Sequence, residues 1–85
     1  MSTDLDTTFQ AAVAQSTSLP EKPANLTLLR LYALYKQATQ GDASGERPGM
    51  TDFVGRAKYD AWAALAGLAS DEAKQNYIDL IESLR

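Results

Sequence analysis

Three side chains before the middle of the chain have the types and the spacing to hold an anionic aromatic ligand. Tyr32, Tyr35 and Lys36 stand at i, i+3 and i+4, so a helix would place them on one face. A tyrosine ring can stack on a nucleobase, and a tyrosine hydroxyl or a lysine ammonium can donate to phosphate. The spacing also fits two half-buried core tyrosines beside a lysine that reaches solvent, which is the commoner arrangement. Spacing alone leaves both interpretations open.

Further candidates lie in the second half of the chain. Lys58 precedes Trp62 by one helical turn, and Tyr77 lies on an apolar stripe near the end of the chain. We interpret Trp62 as a core residue, because a single tryptophan in a small bundle is usually buried. Arg47 begins an Arg-Pro-Gly sequence and could donate to a phosphate beside a following helix. A turn that fixes entry into that helix is the simpler interpretation.

The composition argues against catalysis. The chain has 85 residues and contains no histidine and no cysteine, so it lacks the commonest general base, a thiolate nucleophile and the commonest metal ligands. No zinc-protease, dithiol or nucleotide-loop motif occurs in the sequence. We therefore predict no catalytic residue, no metal site and no cofactor.

These candidates must be positioned by helices, because hydrophobic periodicity predicts four helical segments and no sheet. The expected helix starts are Thr3 or Asp4, Asn25, Thr51 or Asp52, and Ser70. The apolar stripes expected to face the core are Leu5, Phe9, Ala12 and Val13; Leu28, Leu31, Tyr32 and Tyr35; Phe53, Ala57, Ala61, Ala64 and Leu65; and Ala73, Tyr77, Leu80, Ile81 and Leu84.

Glycine and proline mark the connections between these segments. Pro20 and Pro23 follow the first helix, and Gly41 and Gly67 are the expected ends of the second and third helices. Residues 41–49 contain three glycines and a proline and predict a loop that is long for a bundle. The sequence therefore predicts an all-α fold, a four-helix bundle with a long loop between the second and third helices.

Charge is unevenly distributed along the chain. Residues 1–21 and 59–85 each carry a net charge of −3, whereas residues 22–58 carry six basic and three acidic side chains, a net charge of +3. This distribution lacks the broad basic face of a nucleic-acid-binding protein but suits one compact anion. The chain starts without the pattern of a signal peptide and has no apolar run near the ~20 residues of a membrane span, so we expect a cytoplasmic protein.

Residues 32–42, 47–49 and 55–62 carry motifs that resemble those of the acyl-CoA-binding protein family in its small single-domain form. Residues 32–42 (YALYKQATQGD) look like the family's YxxYKQATxGD segment, and Arg47-Pro48-Gly49 looks like its RPG turn. Residues 55–62 (GRAKYDAW) look like its GxAKxDAW segment, and Tyr77-Ile78 resembles a tyrosine position in its last helix. Phe9 and Lys22-Pro23 also fall at similar spacing, so the resemblance covers almost the whole chain.

The resemblance implies a four-helix bundle that forms a single acyl-CoA-binding domain over residues 1–85. It implies tight binding of medium- to long-chain fatty acyl-CoA by a monomeric carrier that catalyses nothing. Tyr32, Lys36 and Lys58 correspond to the residues that hold the 3′-phosphate end of coenzyme A. Tyr35 corresponds to the residue that contacts the adenine, and Tyr77 to one in the last helix that contacts the nucleotide. Transient contact with membranes or with enzymes that use acyl-CoA is compatible with this role.

The chain departs from the family pattern at a few positions, and two other functions stay open. Thr17 and Val54 stand where family members often have basic residues, and Leu28 and Leu29 offer an apolar wall where methionine is often found. The first alternative is a helical protein-interaction module whose tyrosine-rich face docks a partner. The second is an enzyme such as an acyl-CoA thioesterase, against which the lack of histidine and cysteine argues.

Overall fold

Four helices account for most of the chain. The computed structural model describes residues 2–85, with side chains from residue 4 onward, and this range contains α-helices and no strand. The helices are α1 (Ser2–Gln15), α2 (Asn25–Gln40), α3 (Phe53–Ala63) and α4 (Ser70–Leu84). The predicted all-α fold is therefore confirmed, as is the long connection between α2 and α3, which spans residues 41–52. No helix within residues 2–85 combines the length and the apolar character needed to cross a bilayer.

The core is centred on α4, which packs against both α1 and α2, while α3 packs against α2. Its buried members are Phe9, Ala12, Leu31, Leu34, Ala38, Ala73, Tyr77, Ile78 and Ile81. The stripes predicted for α1 and α4 are confirmed, since their remaining members Leu5, Val13, Leu80 and Leu84 pack against this cluster. Burial of these side chains is the main stabilising contribution to so small a domain.

The apolar residues of α2 divide between two faces. Leu31, Leu34 and Ala38 form the face that enters the core. The predicted stripe also included Leu28 and Tyr35, but these side chains are 37% and 39% exposed. The stripe prediction is thus wrong for these two residues, because the apolar surface of α2 is wider than the core it covers.

The stripe predicted for α3 is also partly wrong. Phe53 and Ala64 are exposed, and Trp62 is the residue of α3 that is buried. The reason is that α3 packs against α2 alone, so only a narrow part of its surface is covered. The prediction that Trp62 is a core residue is confirmed.

Helix starts differ from the sequence expectation at three of the four helices. Asp52 caps α3 as predicted, accepting a hydrogen bond from the Gly55 amide at 3.0 Å. The N-caps of α2 and α4 are Ala24 and Ala69, so Asn25 and Ser70 are the first helical residues instead of caps. In α1 the helix begins at Ser2, which places Asp4 in the first turn; the side chain of Thr3, the other cap candidate, lies outside the described residues.

The start of α4 and the end of α2 each have a clear physical cause. The Ser70 hydroxyl donates to the Ala38 carbonyl at 2.7 Å, and this tie between the start of α4 and the end of α2 replaces the expected cap. Gly41 has φ of 82° and its amide donates to the Gln37 carbonyl at 3.1 Å. Because this positive φ strains other residues, glycine ends α2 there, as predicted.

Candidate functional site

A cavity that we call cavity one lies between α2 and α3 and has a volume of about 400 Å³. It is lined by Asn25, Leu28, Leu29 and Tyr32 from α2 and by Phe53, Val54, Ala57 and Lys58 from α3. Apart from Asn25, the Tyr32 hydroxyl and the Lys58 ammonium, these side chains are hydrocarbon. Cavity one can therefore take an aliphatic chain and present a cation beside it.

A second cavity, cavity two, shares Tyr32 with cavity one and has a volume of about 290 Å³. Its walls come from α1, α2 and α4 and from the turn that follows α1: Val13, Ser16, Leu28, Leu31, Tyr32, Tyr35 and Tyr77. Leu28 and Tyr32 line both cavities, so the two form one continuous surface on α2. Three tyrosine rings around a small cavity suit a flat aromatic ligand.

Two lysine ammonium groups from different helices converge on Tyr32. The Lys58 Nζ of α3 lies 5.3 Å from the centroid of the Tyr32 ring, and the Lys36 Nζ of α2 lies 6.0 Å from it. Lys36 Nζ also lies 4.9 Å from the Trp62 ring, within the range of a cation–π contact. None of the ion pairs that the structure gives for residues 4–85 uses Lys36 or Lys58, so both can donate to an anion.

The tyrosines of cavity two are held by a core phenylalanine. The Tyr35 ring stacks on Phe9 with centroids 6.1 Å apart, and the Tyr77 ring meets Phe9 edge-on at 5.2 Å. Tyr77 is 4% exposed, and this burial raises the pKa of its hydroxyl above its usual value, an effect that a hydrogen bond with Ser16 partly opposes. Tyr77 therefore stays protonated at neutral pH and can act as a donor at the edge of cavity two.

The five residues singled out from the sequence thus occupy one region of the molecule. Tyr32, Tyr35 and Tyr77 line cavity two, and Lys58 lines cavity one. Lys36 lines neither cavity but extends over the Tyr32 ring between α2 and α3. Their roles toward a ligand remain a prediction at this point, whereas their proximity is a property of the fold.

Sequence reasoning assigned Phe53 to the core and did not place it at a site. The structure puts Phe53, in the first turn of α3, and Asn25, in the first turn of α2, in the lining of cavity one. The sequence did indicate that Phe53 is exposed, because an aromatic residue directly after the N-cap Asp52 lies at the exposed end of a short helix. Val54, noted as a departure from a family pattern, and Leu28, noted as such a departure and as part of the predicted α2 stripe, line the same cavity.

The residues after Lys36 have a structural role. Gln37 is buried, and its Nε2 donates to Asp42 Oδ1 at 2.8 Å and to the Leu68 carbonyl at 2.9 Å. Asp42 Oδ1 also accepts a hydrogen bond from the Gly67 amide at 2.9 Å. The hydrogen bond from Gly67 makes the largest contribution to lowering the pKa of Asp42 below its usual value, and the one from Gln37 adds to it. We call Gln37, Asp42, Gly67 and Leu68 the loop cluster. It fastens the end of α2 to the turn before α4.

Two further contacts fix the connection between α2 and α3. The Trp62 indole Nε1 donates to the Gly41 carbonyl at 2.7 Å. Arg47 forms a two-point ion pair with Asp60, through Nε at 2.8 Å and Nη2 at 2.7 Å, and this hydrogen bonding lowers the pKa of Asp60. The Arg47 guanidinium is thus engaged by α3, which supports the turn interpretation of the Arg-Pro-Gly sequence over phosphate binding.

Comparison with known proteins gives a consistent result. A family model described as acyl CoA binding protein matches residues 6–81. Acyl-CoA-binding protein homolog 1 of Caenorhabditis elegans is 46% identical over 76 residues, which cover 89% of this chain and 88% of that protein. The crystal structure of Oryza sativa acyl-CoA-binding protein 2 superimposes with a TM-score of 0.93 at 37% identity, covering 98% of this chain and 90% of that one.

Some relatives are much longer than this chain. Enoyl-CoA delta isomerase 2 of Rattus norvegicus is 51% identical over 76 residues, but these are 89% of this chain and 19% of the isomerase. The similarity is thus confined to about a fifth of that protein. The family match over residues 6–81 and the relatives of similar length give the same assignment. The chain belongs to the acyl-CoA-binding protein family.

Proposed function

We propose that this chain binds medium- to long-chain fatty acyl-CoA esters and carries them without chemical change. The observation that carries this proposal is the convergence of Lys36 and Lys58, from two helices, on the Tyr32 ring beside an apolar cavity. A phosphorylated nucleotide with an aliphatic tail presents the anionic, aromatic and apolar groups that such a surface can bind.

The two ends of the ligand would occupy different cavities. We assign the 3′-phosphate end of coenzyme A to Lys36, Lys58 and the Tyr32 hydroxyl, because charge-assisted hydrogen bonds to phosphate are the strongest polar contacts available there. We assign the adenine to the exposed ring of Tyr35, with Tyr77 donating from the wall of cavity two.

The acyl chain would lie in cavity one, against Leu28, Leu29 and Ala57. Burying a methylene stabilises a complex by ~0.8 kcal/mol, so a long chain contributes on the order of 10 kcal/mol before the cost of association. This contribution grows with chain length, whereas the phosphate contacts do not. The apolar cavity would thus set the affinity, and the lysines would select an acyl-CoA over a free fatty acid.

A carrier role requires neither catalysis nor a cofactor. The sequence contains no histidine or cysteine to activate a nucleophile, and the carboxylate of Asp60 is bound to Arg47. We propose that residues 1–85 act as one acyl-CoA-binding domain, monomeric and cytoplasmic. Sedimentation of the ligand-free protein, and localisation of a tagged chain, test the last two points.

The alternative in which a tyrosine-rich face docks a partner helix has no specific support. Tyr77 lies in the core, and Tyr32 and Tyr35 line cavities instead of forming a flat exposed surface. None of the comparisons points to that function.

Calorimetric titration tests the carrier proposal directly. We expect tight binding of palmitoyl-CoA, weaker binding of coenzyme A alone and little binding of palmitate, because only the first ligand uses both the lysines and cavity one. Equal affinity for palmitate and palmitoyl-CoA would refute the phosphate-binding role of Lys36 and Lys58. Release of free coenzyme A during the titration, followed with a thiol reagent, would refute the absence of catalysis.

A further inference from the structure

Four large apolar side chains are open to solvent at the starts of α2 and α3, the two helices that line cavity one. Leu26, Met50, Phe53 and Val54 are 81%, 79%, 78% and 65% exposed, and we call them the apolar rim. Exposed apolar residues scattered singly need no explanation, but a group beside a cavity marks a surface that meets something apolar.

The rim residues come from two helix starts that face each other across cavity one. Phe53 and Val54 are the first two residues of α3 and line the cavity. Leu26 lies in the first turn of α2, one turn before Leu29, which lines the opposite wall. Met50 belongs to the turn that precedes α3, where the Asp52 amide donates to the Gly49 carbonyl at 3.0 Å.

A basic side chain follows three of the rim residues by one helical turn. The pairs are Leu26 with Arg30, Phe53 with Arg56, and Val54 with Lys58, at spacings of four, three and four residues. Residues at these spacings share a helix face, so each apolar side chain has a cation beside it. The structure gives no ion pair to these three cations among residues 4–85. Of the acids near these cations, Asp52 caps α3, and Asp60, whose pKa is lowered by Arg47 and also by Arg56, is bound to Arg47.

We propose that the apolar rim docks on the surface of a bilayer that contains anionic lipids. Apolar side chains that insert at the headgroup boundary, flanked by Lys and Arg that contact lipid phosphates, are the features of an interfacial binding surface. The charge distribution is complementary, because residues 22–58 carry a net charge of +3 while the rest of the chain carries −6. An anionic surface would therefore attract the rim and repel the remainder of the molecule.

Docking in this orientation places the mouth of cavity one against the lipid. If the chain binds acyl-CoA as proposed, an acyl chain could then pass between the bilayer and cavity one without crossing water. A second copy of this chain is a poorer occupant, because a two-fold contact through the rim would bring Arg30, Arg56 and Lys58 of both copies together.

Co-sedimentation of the ligand-free protein with vesicles tests the proposal. Leu26 and Met50 line neither cavity, so the double variant Leu26→Gln/Met50→Gln changes the rim and leaves the acyl-CoA site intact. We expect wild-type binding to phosphatidylserine–phosphatidylcholine vesicles that exceeds binding to phosphatidylcholine alone and weakens with added salt. The double variant should bind the anionic vesicles about tenfold more weakly, because it loses two insertable apolar side chains.

Arg30→Gln and Arg85→Gln form a matched pair, since each removes one arginine and gives the same net charge. Arg30→Gln should weaken vesicle binding about fivefold, since a cation near an anionic surface contributes about 1 kcal/mol, whereas Arg85→Gln at the end of α4 should not. Equal losses in both variants would overturn the role of the rim and indicate a general charge effect.

Other outcomes are equally decisive. Absence of wild-type binding to the anionic vesicles would overturn the proposal. So would a dimer of the wild-type chain, detected by sedimentation, that is lost in the double variant. Calorimetry with palmitoyl-CoA on the same preparations separates the two proposals, because vesicle binding without palmitoyl-CoA binding would refute the carrier function and leave the docking surface standing.

Discussion

The two sides of α2 differ in whether their polar side chains are hydrogen-bonded within the protein. On the side of the long connection, the amide nitrogen of Gln37 and the carboxylate of Asp42 are bound within the protein. On the side of the cavities, the ammonium groups of Lys36 and Lys58 contact only aromatic rings among their described partners. A continuous motif, residues 32–42, thus contains both a part that we propose faces the ligand and a structural part.

This contrast shows how to divide a motif by function. Polar groups whose hydrogen-bonding capacity is used inside the protein stabilise the fold, and substituting them should lower stability. Charged groups held in place without a protein partner retain donors for a ligand, and substituting them should lower affinity. Substitutions on the two sides of α2 should therefore affect different measurements.

The largest effect is expected at the structural side, for Trp62→Ala. Removing a buried indole and its hydrogen bond to Gly41 should lower the free energy of unfolding by about 3–5 kcal/mol, measured by urea denaturation followed by circular dichroism. Trp62→Phe keeps most of the ring and should cost about 1–3 kcal/mol. Phe53→Ala is the matched control, because this exposed aromatic of the same helix should change stability by no more than about 0.5 kcal/mol. Equal losses of unfolding free energy in Trp62→Ala and Phe53→Ala would contradict the structural role assigned to Trp62.

The next effect is expected at the ligand side, for Lys36→Ala and Lys58→Ala. Each should lose about 1–3 kcal/mol of palmitoyl-CoA binding, because each would remove the charged hydrogen bond to phosphate that we propose. Their unfolding free energies should change by no more than about 1 kcal/mol, the scale of the cation–π contacts that are lost. Calorimetry and urea denaturation on the same preparations give both values.

The double variant Lys36→Ala/Lys58→Ala sharpens this prediction. If both lysines hold one phosphate, the loss of binding free energy in the double variant should differ from the sum of the two single losses by at least about 0.5 kcal/mol. Arg85→Ala serves as the control, because Arg85 pairs with Glu82 at the end of α4 and lines neither cavity. Additive losses, or affinities equal to wild type, would separate the two lysines from a common ligand.

The smallest effect concerns pH and the ion pair of the long connection. Hydrogen bonds from Arg47 lower the pKa of Asp60 in the folded protein, so this contribution to stability is present above the unfolded pKa of about 4 and is lost as pH falls through the folded pKa. Asp60→Asn should therefore weaken the loss of stability on acidification, measured as the urea midpoint at a series of pH values.

Arg47→Gln checks the cause of that effect. It removes the ion-pair partner of Asp60 and should flatten the same pH dependence of stability. Added salt should reduce the difference between wild type and each variant, because the ion pair is half exposed. An unchanged slope in both variants would show that other carboxylates govern acid unfolding.

Much of the fold was predictable because it depends on local periodicity. The stripes of α1 and α4 identified core residues, and Gly41 identified the end of α2. The errors arise where tertiary contacts decide. Ser70 looked like a cap, but its hydroxyl reaches Ala38 on another helix. Phe53 fitted a stripe, but α3 has only one helix to pack against.

The site was predictable to a smaller extent. Tyr32 and Lys36 share a helix face, which spacing alone could indicate. The approach of Lys58 to the same ring depends on how α3 crosses α2, and a single sequence does not contain that angle, so only the family resemblance suggested it. The exposure of Val54 and Leu26 around cavity one needed three-dimensional packing for the same reason.

The position of Lys36 over the indole of Trp62 has a practical consequence. The chain contains one tryptophan, and the Lys36 ammonium lies 4.9 Å from its ring. An anion that draws this ammonium away changes the electric field at the only indole in the chain. The ultraviolet emission of the unlabelled protein would then follow ligand capture in real time, as an optical reporter built into the fold.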